Sequence, residues 1–223
     1  MHIEPELVSP EKMLLAYGTA AAAGAMTVKF AVDAIAERGV ASLAARTVLV
    51  SAAVFTFFEI FPHFPVGISE VHFILGSTLL LVFGAAPAAI GLAIGLLLQG
   101  LFFAPFDLPQ YFANVTTLVA PLVAIKFLAD RIIAPNTPYV DLRYGQALAL
   151  SAVYQGGVVV WVGFWALYGQ GFGAENLTSI ASFGGAYMLV VLLEPLADLA
   201  VLAGAKLVRG LAKTGLVTPR LYA

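Results

Sequence analysis

Residues 87–104, PAAIGLAIGLLLQGLFFA, contain no charged side chain, and Gln99 is the one amide in an otherwise apolar or small run. A helix that is apolar on every side is stable where it meets lipid, and roughly 20 such residues cross the hydrocarbon core. Six further runs, at about 13–33, 44–61, 72–84, 111–129, 146–168 and 178–205, have the same character. With 61% hydrophobic and 11% charged residues, the composition lies far from that of a water-soluble domain. The expectation is an all-α polytopic transmembrane bundle of about seven spans, forming a single domain over residues 1–223. No linker, fixed-period repeat or low-complexity tract divides it.

The third run is too short to cross lipid alone. Unpaired backbone groups are costly in hydrocarbon, so this helix is expected to start partway down, with the preceding loop, 61–71, folded into the protein. Basic residues set the direction. Lys29, Arg38 and Arg46 flank the first connection, Lys126, Arg131 and Arg143 the fifth, and Lys206, Arg209, Lys213 and Arg220 the tail. With seven crossings these ten of the 11 basic residues share one side, and Lys12 alone is opposite. The positive-inside rule then puts the N-terminus outside and the C-terminus in the cytoplasm of an inner-membrane protein. The acidic leader with Glu4, Glu6 and Glu11 does not read as a signal peptide.

A net charge of −2 gives no reason to expect nucleic acid binding, and the lack of cysteine excludes disulfides, thiolate metal sites and thiol catalysis. Small residues at helix-packing spacing, Ala16, Ala20 and Gly24 in the first run and Gly91 and Gly95 in the fourth, permit close helix contact within the bundle or with a membrane partner. Glu59 and Asp107 are expected at solvated outer span ends, where they could attract cations. Glu194-Pro195 interrupts the last run, with Asp198 one turn on. Glu194 could pair with another helix, serve as a proton site or mark a docking surface, pairing being the preferred reading. Trp161, Trp165 and Tyr168 read as an aromatic anchor at the outer end of the sixth run. Ala212-Lys213-Thr214 lacks the glycines of a phosphate-binding loop, so ATP is not expected to bind here.

Met1 and His2 form a compact set of nitrogen donors. The α-amine of Met1 with the amide nitrogen and Nδ1 of His2 can close adjacent five- and six-membered chelate rings in one plane. Planar nitrogen coordination suits Ni(II) or Cu(II), with Co(II) also open. A fourth nitrogen could come from the outward loop Pro62-His63-Phe64-Pro65-Val66-Gly67-Ile68-Ser69-Glu70-Val71-His72. His72, read as beginning the short helix, is the stronger candidate, with Ser69 or Glu70 supporting it. His63, between prolines, is the weaker alternative ligand.

Met1-His2-Ile3, the Gly67…Ser69…His72…Gly76 stretch, Gln99…Leu101-Phe102-Phe103 and Ala113-Asn114-Val115 together resemble the CbiM/NikM family, the substrate-binding membrane component of nickel and cobalt energy-coupling-factor transporters. The likeness in order and spacing covers about 1–130. It implies metal ligation by Met1, His2 and His72, with Gln99 and Asn114 as pocket supports, and Ni(II) or Co(II) as transported substrate with no permanent cofactor. The implied partners are a transmembrane coupling (T) component and ATPase subunits, with room for a small accessory membrane subunit. The chain departs from the family pattern at Glu4-Pro5-Glu6, usually Asp-Gly; at Glu70, inserted between the serine and the histidine; and at Thr117, usually asparagine. Two other classes fit the residues less well. A haem-binding redox protein needs two facing helical histidines, whereas only His72 is expected on a helix. A serine hydrolase using Ser69 and His72 lacks an orienting third group.

Overall fold

The computed structural model describes residues 9–207. Among the described residues six α-helices run in chain order: α1 (Met13–Phe55), α2 (Gly76–Phe83), α3 (Ala85–Phe102), α4 (Tyr111–Ile132), α5 (Tyr144–Gln170) and α6 (Ala174–Leu207). Between α1 and α2 lies a short antiparallel hairpin of β1 (Phe64–Val66) and β2 (Ser69–Val71), and the rest of the architecture is all-α, as expected. Among the described residues five helical stretches are long and apolar enough to cross a membrane: Pro10–Ile60, Ala85–Phe102, Pro105–Ile132, Tyr144–Gln170 and Ala174–Lys206.

The first two apolar runs lie on one helix, α1, bent at Gly39, whose φ of 79° and ψ of 166° form a backbone state essentially restricted to glycine. Packing shows how sharply it bends. The Tyr17 ring lies 5.3 Å from Phe112, and the Phe55 ring 5.4 Å from Phe103. Along a straight helix Tyr17 and Phe55 would stand about 57 Å apart at 1.5 Å per residue. The nine steps from Phe103 to Phe112 include the 3-10 turn Pro105–Gln110, at about 2 Å per residue, and span only about 20 Å. The two arms of α1 therefore fold back on each other at Gly39. Phe30 from the first arm and Leu43 from the second meet Ala86 of α3 in one buried cluster near the bend.

The second arm runs parallel to α3. An added Cβ at Gly91 would collide with Val50, and one at Gly95 would lie 2.5 Å from Cγ1 of Val54. These glycines serve close contact inside the bundle, whereas Gly24 of the first arm faces open space. Side chains such as Leu14, Val28, Phe102, Val160 and Leu192 remain exposed on the outer surface, as lipid-facing positions would.

Charge separates the two ends. At one end are Gly39, the α2–α3 junction and the α4–α5 connection, with Lys29, Arg46, Lys126 and Lys206. At the other are the hairpin, the α3–α4 connection and the α5–α6 turn. Here Lys12 donates to the carbonyls of Tyr168 and Gly169 at 2.7 and 2.8 Å. That is the C-terminal end of α5, where free carbonyls and the helix dipole favour a cation. Among the described residues, the lone basic side chain of this end thus has a local structural task.

Candidate metal-capture site

The site begins with the hairpin. Gly67 occupies the first position of a two-residue loop with φ of 62°, as such tight turns require, and its Cα approaches α6 so closely that an added Cβ would lie 3.2 Å from the Phe183 nitrogen. Only glycine meets both demands. The turn is thereby seated against α6, and Ile68 and Ser69 are buried behind it.

His72 follows β2 directly and precedes α2 by four positions, so it does not begin the short helix as expected. Its side chain is 2% exposed and packs on Phe58, in the π turn that ends α1, with ring centroids 4.4 Å apart. Its Nδ1 lies 3.1 Å from the Phe73 carbonyl. A carbonyl can only accept, so Nδ1 carries the proton, and in the neutral ring Nε2 carries the lone pair. A ligating imidazole is typically held in this way.

His63 would be the next position opposite His72 beyond the ladder, which ends at Phe64 and Val71. It stays partly exposed and turns its Nδ1 back to the Phe61 carbonyl at 3.2 Å. Only one of the two loop histidines enters the bundle.

The other expected site residues occupy the same end. Gln99, 2% exposed, lies in the last turn of α3, and Asn114, 1% exposed, in the first turn of α4. Between them the segment 105–110 packs Leu108 against Gly100. Ser69 is buried and Glu70 half-buried on β2. Thr117 is buried and donates its hydroxyl to the Ala113 carbonyl at 3.0 Å, so it closes on its own helix. Met1 and His2 lie outside the described residues. Among the described residues no three His, Cys, Asp or Glu side chains gather closely enough to hold a metal; this end contributes the buried imidazole of His72 and the buried amides of Gln99 and Asn114.

Two expectations at this end need correction. Asp107 is 5% exposed rather than solvated, because it lies in the turn covering the end of α3. Trp165 is fully buried and does not anchor at an interface. Trp161 is partly buried and donates to the Thr116 hydroxyl at 3.1 Å, and Tyr168 alone retains the exposure of an anchor.

The role of α6 is the largest addition to the sequence reading. Glu194 and Asp198 are both buried and face the start of α2. Glu194 accepts the backbone N–H groups of Ile74 and Leu75 at 2.8 and 2.7 Å and the side-chain amide of Gln155. Asp198 accepts the hydroxyls of Ser77 and Thr78 at 2.6 and 2.5 Å. Successive N–H groups at a helix start form a concave anion site, and the positive end of the helix adds to it. Leu75 holds a left-handed φ of 55° there, a conformation costing about 1–2 kcal/mol in a non-glycine residue. Pairing is thus the observed role of Glu194. The sequence signal was two carboxylates one turn apart in an apolar run.

A multi-pass helical membrane protein is what this geometry defines. Residues 2–210 match the family model described as the cobalt uptake substrate-specific transmembrane region, CbiM, and the chain belongs to that family. It is a membrane component of cobalt or nickel uptake. No curated protein and no solved structure matches it.

Proposed function

We propose that this chain is the substrate-capture subunit of an energy-coupling-factor importer for Ni(II) or Co(II). The ion is bound at the outer face by the Met1 amine, the amide and imidazole nitrogens of His2, and Nε2 of His72. Gln99, Asn114, Ser69 and Glu70 support the pocket, and His63 lies outside it. The observation that carries this reading is His72, the buried loop histidine, packed on Phe58 with its Nδ1–H donated to the Phe73 carbonyl.

The two arms of α1 and the buried α2 count as three of seven crossings in an inner membrane, with the N-terminus outside and the C-terminus in the cytoplasm. The clustering of Lys29, Arg46, Lys126 and Lys206 at the end opposite His72 supports this direction. Capture alone moves nothing across a bilayer, so a transmembrane coupling component and separate ATPase subunits supply inward release and energy, with a small accessory subunit as a further partner.

The test is calorimetric titration of Ni(II) and Co(II) into purified protein, comparing His72→Ala with His63→Ala. Loss of at least tenfold in affinity for the first and little change for the second is expected. Equal affinities for wild type and His72→Ala would refute the ligand assignment.

A further inference from the structure

The Phe73–Ile74 peptide unit is held from both sides. Its carbonyl accepts the His72 Nδ1–H at 3.1 Å, and its N–H donates to Oε2 of Glu194 at 2.8 Å. A trans peptide is rigid and planar, with C=O and N–H pointing oppositely, so fixing one group fixes the other. Donation to a carboxylate also polarises the unit and makes its carbonyl the stronger acceptor. Oε1 of Glu194 fixes the next peptide through the Leu75 N–H at 2.7 Å.

We propose that Glu194 is a positioning residue for His72, acting through the Phe73–Ile74 peptide to orient the imidazole so that Nε2 faces the transported ion. The inference rests on the capture reading above. The carboxylate is itself oriented: Gln155 donates its amide to Oε1, and Tyr187 donates its hydroxyl to the Gln155 carbonyl oxygen at 2.6 Å. All three side chains are fully buried. Holding α2 does not account for Glu194, because Asp198 already binds Ser77 and Thr78 in the first turn. The bonds of Glu194 fall earlier, on the two residues between Phe73 and the helix. The relay resembles in its chemistry the carboxylate that commonly orients a metal-binding histidine, with one peptide unit interposed.

A double-mutant cycle separates positioning from general damage. The full chain with its native Met1 terminus is titrated with Ni(II) as wild type, Glu194→Gln, His72→Ala and the double variant. The amide keeps size and one acceptor but sets an NH2 group against a backbone N–H. Glu194→Gln is expected to weaken Ni(II) binding by about tenfold, the scale of such outer partners. In the His72→Ala background it should change affinity less than twofold, and its Ni(II) absorption band should shift in the same direction as that of His72→Ala. Unchanged affinity in Glu194→Gln, or an equal loss in both backgrounds, would overturn the positioning role. If Glu194→Gln fails to accumulate, Gln155→Leu loosens the same carboxylate. It should cost several-fold in the wild-type background and nothing with His72→Ala, equal losses again overturning the proposal. Wild-type protein that binds neither Ni(II) nor Co(II) would overturn the capture reading itself, a different outcome from either failure.

Discussion

Glu194 stands 119 positions along the chain from Leu75, yet its Oε1 accepts the Leu75 N–H at 2.7 Å. That contact explains how so short a helix as α2 can start inside an apolar bundle. A helix start exposes N–H groups that lipid cannot satisfy. Here α6 brings two carboxylates to it, and Arg46 donates to the Phe83 carbonyl at the other end at 2.8 Å. Acceptors at the N-terminus and a donor at the C-terminus thus meet the backbone groups that the helix itself leaves unpaired.

Asp198→Ala leaves the hydroxyls of Ser77 and Thr78 buried without their acceptor. The expected loss is about 1–3 kcal/mol for each group left unsatisfied, read as a lower unfolding temperature in detergent. Asp198→Asn, which retains one acceptor oxygen, should lose less.

Gly95→Ala sets a methyl group 2.8 Å from Cβ of Val54 and forces α1 and α3 apart. Overpacking of this kind costs about 1–3 kcal/mol. Gly24→Ala meets nothing within 4 Å and should stay within about 0.5 kcal/mol of wild type. Thermal unfolding of the two variants side by side checks the contrast.

Gly39→Ala also meets no neighbouring atom, so any cost comes from the backbone state alone. At φ 79° and ψ 166° it should destabilise by about 1–3 kcal/mol. Stability equal to wild type would mean that α1 does not turn back through this conformation.

The proposed orientation can be read with single cysteines, since the chain has none of its own. Phe172→Cys, 77% exposed at the α5–α6 turn, should react with a membrane-impermeant maleimide in intact cells. Pro135→Cys, at the α4–α5 connection, should react only after permeabilisation. The reverse pattern would invert the topology.

How much of this was legible in the sequence varied with the distance over which each feature is decided. The apolar runs needed only local composition, and each overlaps a helix. The short third run also predicted a helix beginning inside the protein. The hairpin carried a local signal, Gly67-Ile68 between Val66 and Ser69, but Pro65 in β1 masked it because proline removes a ladder donor. A turn-back between the first two runs was legible, but helix filling the connection up to Gly39 and resuming directly after it was not, because the connection has no proline or turn cluster to mark it. The pairing of Glu194 with Ile74 and Leu75 depends on α6 packing beside the hairpin, which no local pattern encodes. Of the two loop histidines His72 is the buried one, while its place before α2 and the burial of Asp107 became visible only in three dimensions.

The most direct test of the account is elemental analysis of the protein purified with its native Met1-His2 terminus and a C-terminal tag, beside a version extended by residues before Met1. The extension removes the free amine and alters nothing else in the proposed ligand set. The account predicts about one Ni or Co per chain in the native form and its loss on extension. Equal metal content in the two forms, or none in either after loading with both ions, would contradict it.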